Sequence, residues 1–209
     1  MELWDALADE RRSIADLLDG LTPEQWQVQS LCAAWDVRQL VAHLVVPLTV
    51  RRRELALGMI RSRGSVDRLM VDLVADRAAL APAELVALLR DRASRRFAPP
   101  VVGVLGPYTD LLVHQQDLLI PLGMQDERPP ARWRPSLDFL MSPRARLGFL
   151  ASAKPTLTYR ATDLDWQHGT GDVVSGPAAA IALALLGRTP RLDELDGPGS
   201  PVLAVHAAR

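Results

Sequence analysis

The segment Asp110-Leu111-Leu112-Val113-His114-Gln115-Gln116-Asp117 carries the chemistry that is easiest to read in this chain. At about 100° per residue, Asp110, His114 and Asp117 fall within about 60° of one another, one ionisable stripe on an otherwise apolar helix. Unpaired carboxylates buried there would cost several kcal/mol each, so the stripe has to meet a metal, a cation or a water-filled cavity. In one reading, arginines across a helical bundle pair with Asp110 and Asp117, and His114 is a hydrogen-bonded core histidine. In the other, His43 joins them. That residue lies beside Leu40 and Pro47, at the flank of a second apolar helical pattern. With Asp110 and His114 it supplies two nitrogens and an oxygen, the donor set of an open catalytic zinc site with room for water or substrate. Pro47 has no N–H for the carbonyl of His43, so a kink is expected at that point.

These residues need helices to hold them, and the first 130 residues have helical periodicity. Leu3, Leu7, Ile14, Leu17, Leu18 and Leu21 recur at helical spacing, and Thr22-Pro23-Glu24 restarts the pattern with a cap, a first-turn proline and an acidic residue. Asp36 is placed to cap a long helix through Val37, Leu40, Val41, Leu44, Val45 and Leu48, with Arg51-Arg52-Arg53 on its wet end. Val66 to Val74 and Leu85 to Leu89 form two more helical patterns around Ala81-Pro82, ended by Pro99-Pro100. Residues 105–122 are apolar on nearly every side and should form the most buried helix. Beyond Pro129-Pro130 the pattern changes to a proline-punctuated linker with one short helix. Then come a strand over Leu157 to Ala161, a turn-rich stretch to Gly171, a helix opened by Ser175-Gly176-Pro177 and closed by Gly187, and a last strand over Val202 to His206. The expected fold is mainly α: a helical bundle over 1–130, then a linker and a small α+β domain over 131–209.

Composition narrows the function classes. Hydrophobic residues at 48% and charged residues at 23% are those of an ordinary globular protein. The formal charge of −1 sets up no field that would draw the chain to nucleic acid or anionic lipid. The longest apolar runs, Leu44 to Leu48 and Ala178 to Leu186, fall well short of the roughly 20 residues of a membrane span. The start Met-Glu-Leu-Trp-Asp lacks the order of a signal peptide, so a cytoplasmic protein is expected. A single cysteine, Cys32, excludes an intrachain disulfide and leaves any metal to His and carboxylates. In an apolar loop beside Trp35, Cys32 is expected to be a packed structural thiol. Lys154 is the only lysine among 24 basic side chains, a bias that points to a GC-rich genome more than to chemistry.

The stretch Ser30-Leu31-Cys32-Ala33-Ala34-Trp35-Asp36-Val37-Arg38-Gln39-Leu40-Val41-Ala42-His43-Leu44 resembles the signature of the mycothiol-dependent maleylpyruvate isomerase family of the DinB-like superfamily. Leu112 to Asp117 with Pro121-Leu122-Gly123 is similar to that family's second metal segment. Ala161 to Gly169, continuing through Ser175-Gly176-Pro177 to Arg188, is similar to its C-terminal domain. The resemblance implies a DinB-like four-helix bundle holding a divalent metal, usually zinc, through a His and a Glu-x-x-x-His pair. Carried across, these are His43, Asp110 and His114, with aspartate where the family has glutamate. Asp117 is the alternative carboxylate, as ligand or as a partner orienting an imidazole.

The resemblance further implies thiol chemistry. Mycothiol, a thiol of GC-rich actinobacteria, would bind the metal as a thiolate and add to a small electrophile, giving isomerisation or S-transfer. Trp35, Arg38 and Arg160 are the candidates for contact with thiol or substrate. Two other readings use the same scaffold: a metal-activated hydrolase, and a metal-free, non-catalytic binding or regulatory bundle. A homodimer is left open. No nucleic acid or membrane partner is expected.

Overall fold

The computed structural model describes residues 2–150 and 152–208. The chain divides into two compact units, one comprising residues up to Ala98 plus His114–Gln125, the other Pro99–Val113 and everything from Asp126 on.

The first unit is helical: α1 (Leu3–Asp19), α2 (Val37–Thr49), α3 (Arg52–Arg61), α4 (Val66–Ala78) and α5 (Pro82–Asp91). Helix α2 packs on α4 and α5, and α1 on α5. The core is the apolar stripe that the periodicity marks, with Leu7, Ile14, Leu18, Leu40, Leu48, Leu85 and Leu89 excluded from solvent. Arg11 is buried in this layer, where its guanidinium donates to the carbonyls of Ala93 (2.7 Å) and Arg95 (2.9 Å). Those bonds tie α1 to the chain leaving α5.

Helix α2 begins where Asp36 predicts. Asp36 Oδ1 accepts from the Gln39 N–H at 2.8 Å, and Gln39 Oε1 accepts from the Asp36 N–H at 3.0 Å, a reciprocal capping box. Two expectations fail nearby. Thr22-Pro23-Glu24 starts only the short 3₁₀ turn Gln25–Gln27, with Thr22 and Gln25 exchanging hydrogen bonds in place of opening a helix. Arg51-Arg52-Arg53 is the exposed start of α3, a helix with no buried residue and hence no apolar stripe to reveal it.

Helix α6 (Leu105–Leu119) is one uninterrupted helix running from the second unit's portion of the chain into the first's. The second unit continues with α7 (Arg134–Met141), between 3₁₀ turns at Pro130–Trp133 and Pro143–Leu147, so the expected linker is ordered around buried Trp133, Leu137 and Phe139. Its three strands, β1 (Thr158–Ala161), β2 (Gln167–Gly169) and β3 (Val173–Gly176), form a sheet of order β2-β1-β3. Strand β1 runs antiparallel to β2 and parallel to β3.

Helix α8 (Ala178–Leu185) is buried along its whole length. Asp163 Oδ1 accepts the first N–H, from Ala178, at 2.9 Å. Gly187, at φ +78°, ends the helix while the Arg188 N–H reaches the Leu183 carbonyl (2.9 Å) and the Gly187 N–H that of Ala184 (3.2 Å), a Schellman closure.

The expected last strand is wrong. Residues Ser200–Ala207 form α9, opened by Pro201 in its first turn, with Leu203 and Ala207 buried one turn apart and α8 beneath. The short apolar run Val202-Leu203-Ala204-Val205 imitates a strand over so short a window, and packing decides for the helix.

Candidate metal centre

Helix α2 carries His43 two turns beyond its capping box, and α6 carries Asp110, His114 and Asp117 along one face. Because α6 is continuous, Asp110 keeps a fixed place one turn before His114. The ligand atoms of His43, Asp110 and His114 lie within 4.8 Å of one another. The His43 and His114 rings meet edge to face with centroids 4.9 Å apart. Trp35, on the loop before α2, stacks on His43 at 4.8 Å and covers one face of that ring. Pro47 lies inside α2, so the carbonyl of His43 receives no N–H from the residue four further on.

Asp117 has no exposed surface, and its Oδ2 lies 2.9 Å from His114 Nδ1. A carboxylate oxygen accepts only, so Nδ1 carries the proton and Nε2 is the nitrogen that a metal would take. This is the carboxylate–histidine pairing that fixes ring orientation in metal sites. The two aspartates fall in two groups of candidate ligand atoms that share His114: Asp110 with His43 and His114, and Asp117 with Cys32 and His114.

Cys32 packs against polar groups as well as the apolar neighbours that the sequence suggests. Its Sγ lies 3.2 Å from Asp117 Oδ2 and 3.6 Å from His114 Nδ1. The loop holding it is braced: Ser30 Oγ donates to the Trp35 carbonyl (2.6 Å), Gln29 Nε2 to those of Cys32 (2.9 Å) and Trp35 (2.7 Å), and the Leu31 N–H to that of Asp117 (3.1 Å). Cys32 and Asp117 are 85 positions apart, and no local pattern joins them.

Each proposed contact residue is placed by its own element. Trp35 lies against His43, whereas Arg38 donates to the Leu80 carbonyl at 2.7 Å and so bridges α2 to the α4–α5 turn. Arg160 is exposed on β1, between buried Tyr159 and Ala161. Burial pushes the Tyr159 hydroxyl up to about 12, and it donates to the Pro155 carbonyl at 2.9 Å. Trp166 is anchored too, its Nε1 donating to Asp138 Oδ1 at 2.7 Å.

A mainly helical protein with two imidazoles and a carboxylate brought together on two helices belongs to a class in which the bundle carries the site. Residues 7–101 match the model of the mycothiol maleylpyruvate isomerase N-terminal domain. No curated protein matches the chain. Two crystal structures share its fold. A mutant of the mycothiol-dependent maleylpyruvate isomerase with one histidine changed to alanine aligns at TM-score 0.59 and 16% identity, covering 96% of this chain and 97% of the other. The mycothiol-dependent maleylpyruvate isomerase itself aligns at TM-score 0.54 and 17% identity over the same shares. Among the described residues, no helix is long and apolar enough to cross a membrane.

Proposed function

We propose that this protein is a divalent-metal- and mycothiol-dependent enzyme, an isomerase or thiol S-transferase acting on a small electrophile in the cytoplasm. One observation carries the reading: His43, Asp110 and His114 bring two nitrogens and a carboxylate within 4.8 Å of one another. The match of residues 7–101 to a domain of mycothiol-dependent isomerases supports mycothiol as the thiol. A mixed nitrogen and oxygen set suits zinc among the divalent ions. The metal, when bound, would lower the pKa of a thiol at its open position, so that the thiol is ionised at neutral pH.

The chain's own residues do the rest. His43 and His114 offer neutral imidazoles, and Asp110 offers a charge that offsets part of the cation's. Asp117 holds His114 in the tautomer that presents Nε2. Trp35 stacked on His43 restricts that ring and shields it from water on one side, as metal binding at a partly buried site requires. Arg38, held on the Leu80 carbonyl, and Arg160, exposed on β1, are the proposed cations for carboxylates of thiol or substrate.

The test uses protein purified without chelator or nickel resin. About one divalent ion per chain is expected in the wild type and none in His43→Ala. Mycothiol added to the cobalt-loaded wild type should change its visible spectrum. Metal binding without response to any thiol would favour a metal-activated hydrolase. No metal after reconstitution would overturn the enzyme reading in favour of a binding module.

A further inference from the structure

Two donors converge on one buried oxygen, and only one of them is a proposed metal ligand. Asp117 Oδ2 receives His114 Nδ1 at 2.9 Å and Cys32 Sγ at 3.2 Å, while Sγ and Nδ1 are 3.6 Å apart. Since the carboxylate can only accept, both neighbours must turn a hydrogen toward it, N–H from the imidazole and S–H from the thiol. A carboxylate with no exposed surface is expensive to leave undersatisfied, which favours this proton arrangement over the other tautomer.

The loop bearing Cys32 is joined to Asp117 twice, once through the thiol and once through the Leu31 N–H on the Asp117 carbonyl. The thiol is therefore held against Asp117 by the backbone itself. Ser30, whose Oγ lies 3.1 Å from the Cys32 N–H, completes the brace.

We propose that Cys32 and Asp117 are a positioning pair: Cys32 holds the Asp117 carboxylate, and Asp117 holds His114 as the Nδ1–H tautomer with Nε2 presented for ligation. The consequence for metal binding rests on the function proposed above, whereas the tautomer does not, since it exists in the metal-free chain. Cys32 acts here through its S–H as a donor. A serine can replace it, and an alanine cannot.

The experiment measures the His114 tautomer by long-range ¹H–¹⁵N correlation on metal-free, ¹⁵N-histidine-labelled protein, and then cobalt and zinc affinity for the same samples. Wild type and Cys32→Ser should both show Nδ1–H at His114 and bind metal within about threefold of each other. Cys32→Ala should show a mixture of tautomers and about tenfold weaker binding, and Asp117→Asn 10- to 100-fold weaker binding, the range for partners of ligating histidines. If Asp117→Asn fails to fold, the Cys32 series still decides.

An Nε2–H tautomer in the wild type would overturn the pair, as would Cys32→Ala behaving like wild type in both readouts. A sulfur-to-cobalt charge-transfer band in the wild type that disappears in Cys32→Ser would also overturn it, by making Cys32 a ligand. A wild type that binds no metal would refute the proposed function alone, with the tautomer still judging the pair.

Discussion

Lengthening Asp110 by one methylene should tighten metal binding. Ligand atoms about 2.1 Å from a tetrahedral ion stand roughly 3.4 Å from one another. Those of His43, Asp110 and His114 lie within 4.8 Å, so closure on an ion requires movement of up to about 1.4 Å. A backbone and rotamer adjustment of that size costs on the order of 1 kcal/mol, whereas a methylene extends the carboxylate by about 1.5 Å. Asp110→Glu should therefore bind zinc or cobalt up to about tenfold more tightly, the factor that 1.4 kcal/mol represents. Asp110→Ala removes the ligand and should weaken binding by more than about 100-fold, beyond what loss of a supporting partner does. Competition with a chromophoric chelator measures both. Wild-type affinity in Asp110→Ala would refute the assignment, and if Asp117→Ala alone abolished binding, the two aspartates would have to exchange roles.

Three further outcomes test the scaffold. Asp36→Ala removes the acceptor of the Gln39 N–H at the start of α2 and should cost about 1 kcal/mol, a fall in melting temperature of roughly 2–4 °C. Arg11→Met strips the Ala93 and Arg95 carbonyls of their charged donor and should cost about 3 kcal/mol, read as a lower urea midpoint. Arg77 bonds Glu54 at 2.5 Å and holds its carboxyl below the ordinary 4.5. A depressed acid stabilises the fold above its unfolded pKa and loses that contribution as pH falls through the folded one. Glu54→Gln should thus be less stable than wild type at pH 7, by up to about 1 kcal/mol for a pair still in reach of solvent, and match it in strong acid. A mutant deficit that persists at low pH would contradict this.

The parts of the molecule legible from sequence are those whose physics is confined to a turn or two. The box between Asp36 and Gln39 spans four residues, the Gly187 closure spans six, and the stripe of Asp110, His114 and Asp117 follows from the helical period alone. Elsewhere the local pattern is weak or ambiguous. Helix α3 buries no residue and so shows no apolar stripe, and α9 has a short apolar run over Val202 to Val205 that a strand would share until Leu203 and Ala207 are seen buried together.

The family resemblance lay in the sequence as well, since the motif residues around His43 and His114 stand in order along the chain, and residues 7–101 match the family's N-terminal domain. Which residue of the stripe meets which neighbour was not legible. Cys32 is 85 positions from Asp117, and Arg38 is 42 from Leu80. Periodicity records which face of a helix is apolar, because that depends on the helix alone. The long-range partner of each polar atom on that face depends on where distant chain returns, and only the packed tertiary structure brings His43 to the stripe and sets the Cys32 thiol on the Asp117 carboxylate.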